Sequence, residues 1–309
     1  MLSSLAASTH RVGLDCRVCG ASVAIDSTCF GDLACDACGS HLAHAVDGIW
    51  VMDSAHHTNL EEDYPEWVYS RLADVEPRHF WFGERNRLIL STLREVLGSL
   101  GGLSALDVGC GTGFVTAALE DAGLRTYGVD GHLGGLRVAR TRVRSALLCD
   151  NAQSLPFTDT FDIALACDVI EHTSDDVAVL REIGRALRPG GVVLVTVPAH
   201  QWLWSAIDDA SGHKRRYGRG GLIEVMRAAG LRVRLARYFN TLLLPVQAMQ
   251  RLRQRHAAQA ATRLLFDGLR PPPPILNGLL RLLMRTDEIL TRWPRTFGTS
   301  LIAVAERPE

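Results

Sequence analysis

The chain has 309 residues, of which 47% are hydrophobic and 22% charged, with a formal net charge of −1 at pH 7. This composition is typical of a globular protein and excludes disorder, collagen and coiled coil as descriptions of the whole chain. The sequence has no apolar run near the roughly 20 residues of a membrane-spanning helix and no export signal at its start, so we expect a cytoplasmic protein.

Charge is distributed unevenly along the chain. Residues 1–210 contain 15 Lys or Arg and 28 Asp or Glu, whereas residues 211–309 contain 18 and 6. A basic last third predicts contact with an anionic partner. A phosphorylated substrate, a membrane surface and RNA remain open as that partner.

The first predicted module, residues 1–53, is defined by the spacing of its cysteines. Two C-x2-C pairs, separated by fifteen residues, contain Cys16, Cys19, Cys35 and Cys38. Two such pairs complete the tetrahedral shell of a zinc ion and leave no open position. We therefore predict a structural zinc that stabilises the fold and takes no part in catalysis. Two disulfides are the alternative, which a reducing compartment disfavours.

Residues 14–52 resemble the zinc-ribbon modules that are found beside methyltransferases. In those modules two cysteine pairs precede a D-G-I strand, which corresponds here to Asp47-Gly48-Ile49. Similar modules precede some ribosomal RNA methyltransferases and also occur as separate activating subunits. The resemblance therefore implies a zinc ribbon without choosing a substrate.

A helical cap segment is predicted at residues 54–100. It contains the aromatic run HFWF, from His79 to Phe82, followed by Arg85 and Arg87. Aromatic residues ahead of a first strand can simply pack a helix on the sheet. A structural role and a substrate-facing role both remain open.

A strand, a glycine loop and a helix are predicted in succession from residue 103. The run SALDV leads into Gly109, Gly111 and Gly113 and then into FVTAALEDAG, which is the first unit of a doubly wound α/β domain. Dinucleotide enzymes use G-x-G-x-x-G, whereas the order here is D-x-G-x-G-x-G. A negatively charged phosphate would not bind the carboxylate of Asp107, whereas the amino group of S-adenosylmethionine can donate to it. The loop therefore predicts S-adenosylmethionine as the cofactor.

Two more acidic residues follow the next two predicted strands. Asp130 ends the second strand, about 20 residues beyond the loop, where a carboxylate can accept from both ribose hydroxyls. Asp150 follows the third strand, where it can accept from the adenine amino group. With Asp107, these acids at three consecutive strand ends predict a single cofactor site.

Residues 79–240 and the last strand resemble the class I S-adenosylmethionine-dependent methyltransferases. LDVGCGTG corresponds to their first motif, Asp150-Asn151-Ala152 to their adenine segment and FDIALACDVIEH to their fourth motif. The HFWF-x-x-R segment is similar to that of a bacterial group within the family. The resemblance implies an α/β fold, with a doubly wound, Rossmann-like, seven-stranded methyltransferase sheet at residues 101–309 and the small N-terminal zinc ribbon.

The same resemblance assigns roles to further residues. It implies that Gly109, Gly111 and Gly113 hold the methionine moiety and that Asn151 belongs to the adenine pocket. It also implies that Asp168 lies near the cofactor, at the entrance to the acceptor site.

Three histidines follow predicted strands and are candidates for a catalytic base. Methyl transfer to a phenol or enol requires removal of a proton, and histidine titrates in the useful range. The candidates are His172, His200 and His213. The alternative at each position is a histidine with a structural role, whose ring nitrogens are hydrogen-bonded within the fold.

A divalent-cation site is a second interpretation of the region around His172. If this region were helical, Asp168, Glu171, His172 and Asp175 would share one face. The cluster resembles the E-x-x-E-H-x-x-H site of a metal-assisted ubiquinone-pathway O-methyltransferase, with Asp in place of two ligands. Such oxygen-rich ligands could hold a hard cation that orients a catecholic acceptor.

Residues 240–295 form a basic insertion before the last predicted strand. Two amphipathic stretches rich in arginine flank a run of four prolines at 271–274. One hypothesis is a lid that packs its apolar face on the core over the acceptor site. The other is peripheral contact with the inner face of a membrane, which would suit a lipid-linked acceptor.

The sequence therefore predicts a methyltransferase acting on a small-molecule or lipid-linked acceptor, with oxygen as the favoured target atom. An RNA methyltransferase is the first alternative, although the tetrad N/D-P-P-Y/F of many RNA base-amine enzymes is replaced by Cys167-Asp168-Val169-Ile170. A non-catalytic zinc-ribbon adaptor with a vestigial methyltransferase fold is the alternative from another class.

Overall fold

The computed structural model describes residues 11–26, 31–53, 66–254, 270–291 and 297–309. Parts of the predicted cap segment and insertion, at 54–65, 255–269 and 292–296, lie outside these described residues.

The strands of the protein, in chain order, are β1 Arg11–Asp15, β2 Ser22–Asp26, β3 Leu33–Ala34, β4 His41–Val46, β5 Ile49–Met52, β6 Ser104–Val108, β7 Arg125–Asp130, β8 Ala146–Cys149, β9 Phe161–Cys167, β10 Leu187–Pro198, β11 Arg232–Phe239 and β12 Ser300–Glu306. The helices are α1 Glu66–Val75, α2 Phe80–Leu97, α3 Phe114–Asp121, α4 Leu133–Arg140, α5 Asp176–Ala186, α6 Ala206–Ala210, α7 Arg219–Ala228, α8 Leu244–Gln254 and α9 Pro274–Thr291.

Seven strands form the central part of one sheet, in the order β8-β7-β6-β9-β10-β12-β11. Strands β6 to β10 pair in parallel with their neighbours, whereas β12 runs antiparallel to both β10 and β11. The order reverses between β6 and β9, which leaves a crevice at the carboxyl ends of these strands.

Alternate residues along the strands build a core on each face of the sheet. In β9, Ile163 and Leu165 pack with residues of α2 and α3, whereas Ala164 and Ala166 pack with residues of α5 and α7. Period-2 alternation that is apolar on both faces is typical of a sheet covered on both sides. The predicted doubly wound α/β fold is confirmed.

The cysteine-rich segment continues this sheet at one edge. Strands β5, β4 and β3 extend the order beyond β8, and β5 pairs in parallel with β8 through Trp50 opposite Leu148 and Val51 opposite Cys149. Strands β1 and β2 form a separate antiparallel pair. The sequence indicated a small ribbon but gave no sign that half of it joins the main sheet.

Helix α9 carries opposite chemistry on its two sides. Its polar side contacts α2, where the amide of Phe80 donates to Asn277 Oδ1 at 2.9 Å and Arg285 Nε donates to Glu84 Oε1 at 3.0 Å. The carboxylate of Glu84 is buried and needs a charged partner, so contact with Arg285 is more favourable than contact with the apolar side of α9. The exposed side is apolar and includes Ile275, Leu279, Leu282 and Ile289. The lid hypothesis expected the apolar face to pack on the core. In the described part of α9 this face is exposed instead.

None of the described helices is both long enough and apolar enough to cross a bilayer.

Leu148 and Leu279 are expected to differ in their contribution to stability. Leu148 is fully buried in β8, whereas Leu279 on α9 is 54% exposed. Leu148→Ala should lower the free energy of unfolding by about 2–5 kcal/mol, because it removes buried methyl groups and leaves a cavity. Leu279→Ala should change it by less than about 0.5 kcal/mol. Urea unfolding followed by circular dichroism measures both, and equal losses would contradict the burial pattern.

Candidate active site

A cleft opens at the carboxyl end of β6, where the strand gives way to the glycine loop and then to α3. It spans about 610 Å³, part of which is open to solvent, and is lined by residues from α1, α2, the loop and the end of β9. Ligands of open parallel sheets bind at this edge. Among the predicted site residues, the lining includes Asp107, Gly109 and Gly111.

Two glycines of the loop are required for different physical reasons. At Gly113, a Cβ would lie 2.9 Å from the Cβ of Ala139 in α4, so a side chain has no room. At Gly111, a Cβ would meet nothing within 4 Å, because this position opens onto the cleft. A large side chain at residue 111 would therefore occupy the space of a ligand.

Asp107 is a buried carboxylate in the wall of this cleft. It is 1% exposed, and Thr116 Oγ1 in α3 donates to its Oδ2 at 2.6 Å. Burial raises the pKa of Asp107 to about 6, against the opposing effects of the Thr116 hydrogen bond and the positive charge of Arg85. A cationic ligand in the cleft would favour the ionised form of this carboxyl group.

Asp130 is tied directly to the glycine loop. It ends β7, and its Oδ2 accepts from the amide of Gly111 at 2.8 Å. Its Oδ1 accepts from the amide of His132 at 2.9 Å. The second predicted acid therefore lies beside the loop, as expected for two parts of one binding site.

Asp150 follows β8, and its carboxylate is fully buried. Its Oδ1 accepts from the amide of Asn151 at 2.8 Å, and its Oδ2 accepts from Arg17 Nη2 at 2.6 Å. Arg17 lies between Cys16 and Cys19, so the cysteine-rich segment reaches the third predicted acid. Nothing in the sequence indicated this contact, because the two residues are 133 positions apart.

Asp168 follows β9 in the left-handed backbone region, with φ of 56°. Its Oδ2 accepts from Arg85 Nη1, and its Oδ1 accepts from Thr196 Oγ1 at 3.2 Å. Arg85 belongs to the HFWF-x-x-R segment and also lines the cleft. The segment has a packing role as well, since Trp81 stacks on Phe239 with ring centroids 5.9 Å apart.

A buried hydrogen-bond network closes the glycine loop from the side of α1. Thr112 Oγ1 donates to Glu76 Oε1 at 2.7 Å, and Arg142 Nη1 also donates to Glu76. Arg142 Nη2 in turn donates to the carbonyl of Ala73 at 2.6 Å. The sequence analysis missed Glu76 and Arg142, which carry no motif and meet only in the folded chain.

Two of the three candidate histidines lie together. The rings of His172 and His213 are 4.7 Å apart and nearly perpendicular. Partial desolvation and the neighbouring His213 lower the pKa of His172 to about 4, so its imidazole is neutral at physiological pH. Asp208 Oδ1 lies 2.9 Å from His213 Nδ1 and orients that ring. His172 is therefore unprotonated, and the same lowered pKa makes it a weak base.

His200 lies in a different environment. Its ring stacks on Tyr238 at a centroid distance of 4.9 Å and lies 5.7 Å from the ring of Trp202. Burial lowers its pKa, with a further contribution from the charge of Arg216. The structure does not bring His200 into the group formed by His172 and His213.

The predicted helical face of four ligands is wrong. Residues Ile170–His172 form a short 3-10 turn, and Asp175 caps α5 by accepting from the amide of Ala178 at 2.8 Å. The left-handed backbone at Asp168 interrupts any helix at that point. The expected i, i+3, i+4, i+7 spacing therefore does not apply.

A different set of donors converges instead. Glu171, His172 and His213 each have a ligand atom within 4.8 Å of the others. Glu171 is fully buried, and neither of its carboxylate oxygens has a hydrogen-bond partner. Burial raises its pKa well above the ordinary value. One carboxylate with two imidazoles is a donor set that fits a divalent cation.

The four predicted zinc ligands also converge. Sγ of Cys16 lies 3.7 Å from Sγ of Cys38, and Sγ of Cys19 lies 3.6 Å from Sγ of Cys35. All four thiols are free, and their sulfur atoms lie within 4.8 Å of one another. Zn–S bonds of about 2.3 Å in a tetrahedron place sulfurs about 3.8 Å apart. The residues present therefore fit a zinc ion.

Residues 106–195 match the family described as methyltransferase domain. The matched segment runs from β6 through the glycine loop, Asp130, Asp150 and Asp168 into β10. These residues are therefore similar to a methyltransferase domain. The cysteine-rich segment lies outside the matched residues, so the family match does not extend to it.

Curated relatives match about a third of the chain. The ubiquinone biosynthesis O-methyltransferase of Bradyrhizobium diazoefficiens is 31% identical over 111 residues, which are 34% of this chain and 44% of that protein. The protein of the same description from Leptothrix cholodnii is 27% identical over 119 residues, covering 36% of this chain and 51% of that protein. The matches span about half the length of these relatives.

A solved structure extends the likeness beyond the methyltransferase domain. Phosphoethanolamine N-methyltransferase 2 of Haemonchus contortus, in complex with S-adenosylmethionine, has a TM-score of 0.54 and 20% sequence identity. The alignment covers 81% of this chain and 59% of that one. At this identity the likeness is one of fold, and it agrees with the Rossmann-like methyltransferase architecture predicted from the sequence.

Gly111→Arg is expected to abolish binding of S-adenosylmethionine. The new side chain would fill the cleft, where the wild-type position is open. Isothermal titration calorimetry measures the loss. Gly212→Arg is the matched control, since Gly212 also has a positive φ and open space around its Cβ position but does not line the cleft. Undiminished affinity in Gly111→Arg would place the cofactor elsewhere.

Proposed function

We propose that this protein is an S-adenosylmethionine-dependent methyltransferase that methylates an oxygen atom of a small-molecule acceptor. One observation carries the proposal: the glycine loop and the buried carboxylate of Asp107 line the same cleft. Asp130 is hydrogen-bonded to that loop through the amide of Gly111. Relatives described as ubiquinone biosynthesis O-methyltransferases support a small acceptor and an oxygen target.

The cofactor pocket is assembled from four parts of the chain. Gly109, Gly111 and Gly113 would hold the methionine moiety, with Asp107 accepting from its amino group. Asp130 would accept from the ribose hydroxyls. The adenine would lie between Asp150 and Asn151, and Asp168 would lie at the entrance to the acceptor site. The position of Gly111 on the open cleft supports this arrangement.

S-adenosylmethionine supplies a methyl group that its sulfonium already activates. The protein therefore has to align the acceptor and exclude water rather than activate the methyl group. Arg85, held by Asp168, and the aromatic ring of Phe82 form part of the cleft wall and serve this positioning role.

His172 and His213 are the proposed proton acceptors. A general base must be unprotonated before it acts, and the lowered pKa leaves the imidazole of His172 unprotonated at physiological pH. Because the same shift weakens the ring as a base, the proton would move to it only as the acceptor oxygen attacks the methyl group. Asp208 orients the ring of His213 through its Nδ1. A divalent cation held by Glu171, His172 and His213 is the alternative; it would orient the acceptor oxygens, and the two imidazoles would then be ligands rather than proton acceptors. His200 has no role in this proposal.

Zinc held by Cys16, Cys19, Cys35 and Cys38 would be structural. Four thiolates fill the coordination shell, so no position remains for a substrate. The spacing of the sulfur atoms supports this assignment.

We further propose that the acceptor is lipid-linked and that α9 contacts the membrane that carries it. Ile275, Leu279, Leu282 and Ile289 follow the i, i+4, i+7, i+14 spacing of one helical face, and all four are exposed. An apolar helix face beside a basic region is typical of a segment that lies in the membrane interface. The net positive charge of residues 211–309 favours anionic lipids.

His172→Gln is expected to slow methyl transfer without weakening cofactor binding. The variant retains a polar side chain but removes the proton acceptor, so kcat should fall about 10²- to 10⁴-fold. Release of S-adenosylhomocysteine with a panel of catechols and polyprenyl phenols measures the rate. His44→Gln, in the cysteine-rich segment, is the control and should retain full activity.

The pH dependence gives a second readout of the same residue. Because the pKa of His172 is about 4, its imidazole stays unprotonated down to about pH 5, and kcat/KM should be level above that value and fall below it. Full activity of His172→Gln would refute the base assignment. Methyl transfer to RNA but to no small molecule would support the RNA alternative, and cofactor binding without any turnover would support the adaptor.

Leu279→Asp is expected to reduce membrane binding. A carboxylate on the exposed apolar face of α9 opposes insertion and repels anionic lipids. Sedimentation with vesicles of phosphatidylcholine and phosphatidylglycerol measures the bound fraction. Val18→Asp, at an exposed apolar residue outside α9, is the control and should bind like wild type. Equal binding of all three proteins would contradict the proposed membrane face.

A further inference from the structure

Arg17 connects the cysteine-rich segment to the proposed adenine pocket. It lies between two of the four clustered cysteines, and its Nη2 donates to Asp150 Oδ2 at 2.6 Å. The same nitrogen donates to the carbonyl oxygen of Ser154. The side chain of Arg17 is 28% exposed, whereas the carboxylate of Asp150 is fully buried. One arginine thus bridges the acid and the loop that follows it.

The segment around Arg17 is anchored to this loop at further points. The amide of Asp15 donates to the carbonyl of Pro156 at 2.9 Å, and Thr158 Oγ1 donates to Asp15 Oδ2 at 2.6 Å. On the other side of Asp150, β5 pairs with the residues of β8 that directly precede it. The cysteine-rich segment therefore contacts the chain both before and after Asp150, which limits where that carboxylate can lie.

Arg17 also supplies the charge that Asp150 needs. A fully buried carboxylate is costly unless a cation and hydrogen bonds compensate it. Its Oδ1 accepts from the adjacent amide of Asn151, and its Oδ2 accepts from Arg17. Loss of the guanidinium would remove this positive charge from beside Asp150 and release the carboxylate from its present position. That change would weaken its capacity to accept from an amino group.

We propose that Arg17 is a positioning residue of the adenine pocket and that metal binding by the four cysteines is thereby coupled to cofactor affinity. The inference rests on the proposed function, in which Asp150 accepts from the adenine amino group. Cys16 and Cys19 flank Arg17 in sequence, so a metal ion held by the cysteines fixes the backbone on both sides of it. The cysteine-rich segment is then a part of the cofactor site as well as a structural module.

The deciding experiment compares two ligands that differ at the purine 6-position. S-adenosylhomocysteine carries an amino group there, and S-inosylhomocysteine carries a carbonyl. Calorimetry gives the dissociation constants for wild type, Arg17→Ala, Arg17→Lys and Val18→Ala, with the zinc content of each sample measured. Val18 is the matched control, because it lies in the same cysteine turn and is 74% exposed.

Arg17→Ala should weaken binding of S-adenosylhomocysteine by about 10- to 100-fold, because it removes one partner of a buried charge pair. It should also lose most of the preference for the amino ligand while retaining its zinc, since Arg17 is not a metal ligand. Arg17→Lys should restore part of both properties, and Val18→Ala should match wild type. Chelation of zinc should weaken binding of S-adenosylhomocysteine to wild type more than to Arg17→Ala. Zinc removal and the loss of Arg17 act through the same contact with Asp150, so their effects should not add.

The outcomes separate this inference from the function on which it rests. If wild type binds S-adenosylhomocysteine and prefers it over the inosine analogue, and zinc-loaded Arg17→Ala does the same, the role of Arg17 is refuted and the methyltransferase proposal stands. If wild type binds neither ligand, both fail. A loss of binding in Val18→Ala equal to that in Arg17→Ala would reduce Arg17 to a residue that only folds the cysteine turn, and would also refute the inference.

Discussion

The structure depends on one constraint: negative charges are buried at the ends of its parallel strands, and each of them costs free energy unless a donor or a cation compensates it. Asp107, Asp130 and Asp150 lie in or just after three adjacent strands, and each is at most 9% exposed. A buried carboxylate is stable only if donors or cations surround it. Thr116, the amide of Gly111 and Arg17 supply those partners from three different parts of the chain. The arrangement leaves a cleft that suits a cationic ligand.

The segments outside the methyltransferase domain are placed by the same requirement. Arg85 of α2 pairs with Asp168, Arg142 pairs with Glu76 just after α1, and Arg17 of the cysteine-rich segment pairs with Asp150. Each of these ion pairs crosses from the domain to an N-terminal segment. The cap and the cysteine-rich segment therefore supply charges opposite to those of Asp168, Arg142 and Asp150 in the domain.

The sequence predicted the parts of the protein that depend on local pattern. The strand, glycine loop and helix at Gly109 to Gly113 could be identified because the spacing of glycines and the switch in periodicity are local signals. The four cysteines converge as their spacing indicated. The pairing of β5 with β8 and the contact of Arg17 with Asp150 could not be predicted, because each joins residues about 100 or more positions apart and no sequence signal links the two partners.

One wrong prediction and one open alternative have identifiable physical explanations. The helical face proposed for Asp168 to Asp175 assumed a regular helix, but a left-handed residue and a 3-10 turn place His213 beside His172 instead. The amphipathic pattern of α9 indicated an apolar face and left open whether it packs on the core or faces outward. Buried Glu84 binds the polar side of α9 and leaves the apolar side exposed.

A crystal structure of the protein with S-adenosylhomocysteine tests the central claim most directly. The account predicts the homocysteine moiety against Gly111, the ribose hydroxyls within hydrogen-bond distance of Asp130, and the adenine amino group on Asp150. A ligand bound with its adenine away from Asp150, or bound outside the cleft at the end of β6, would contradict it.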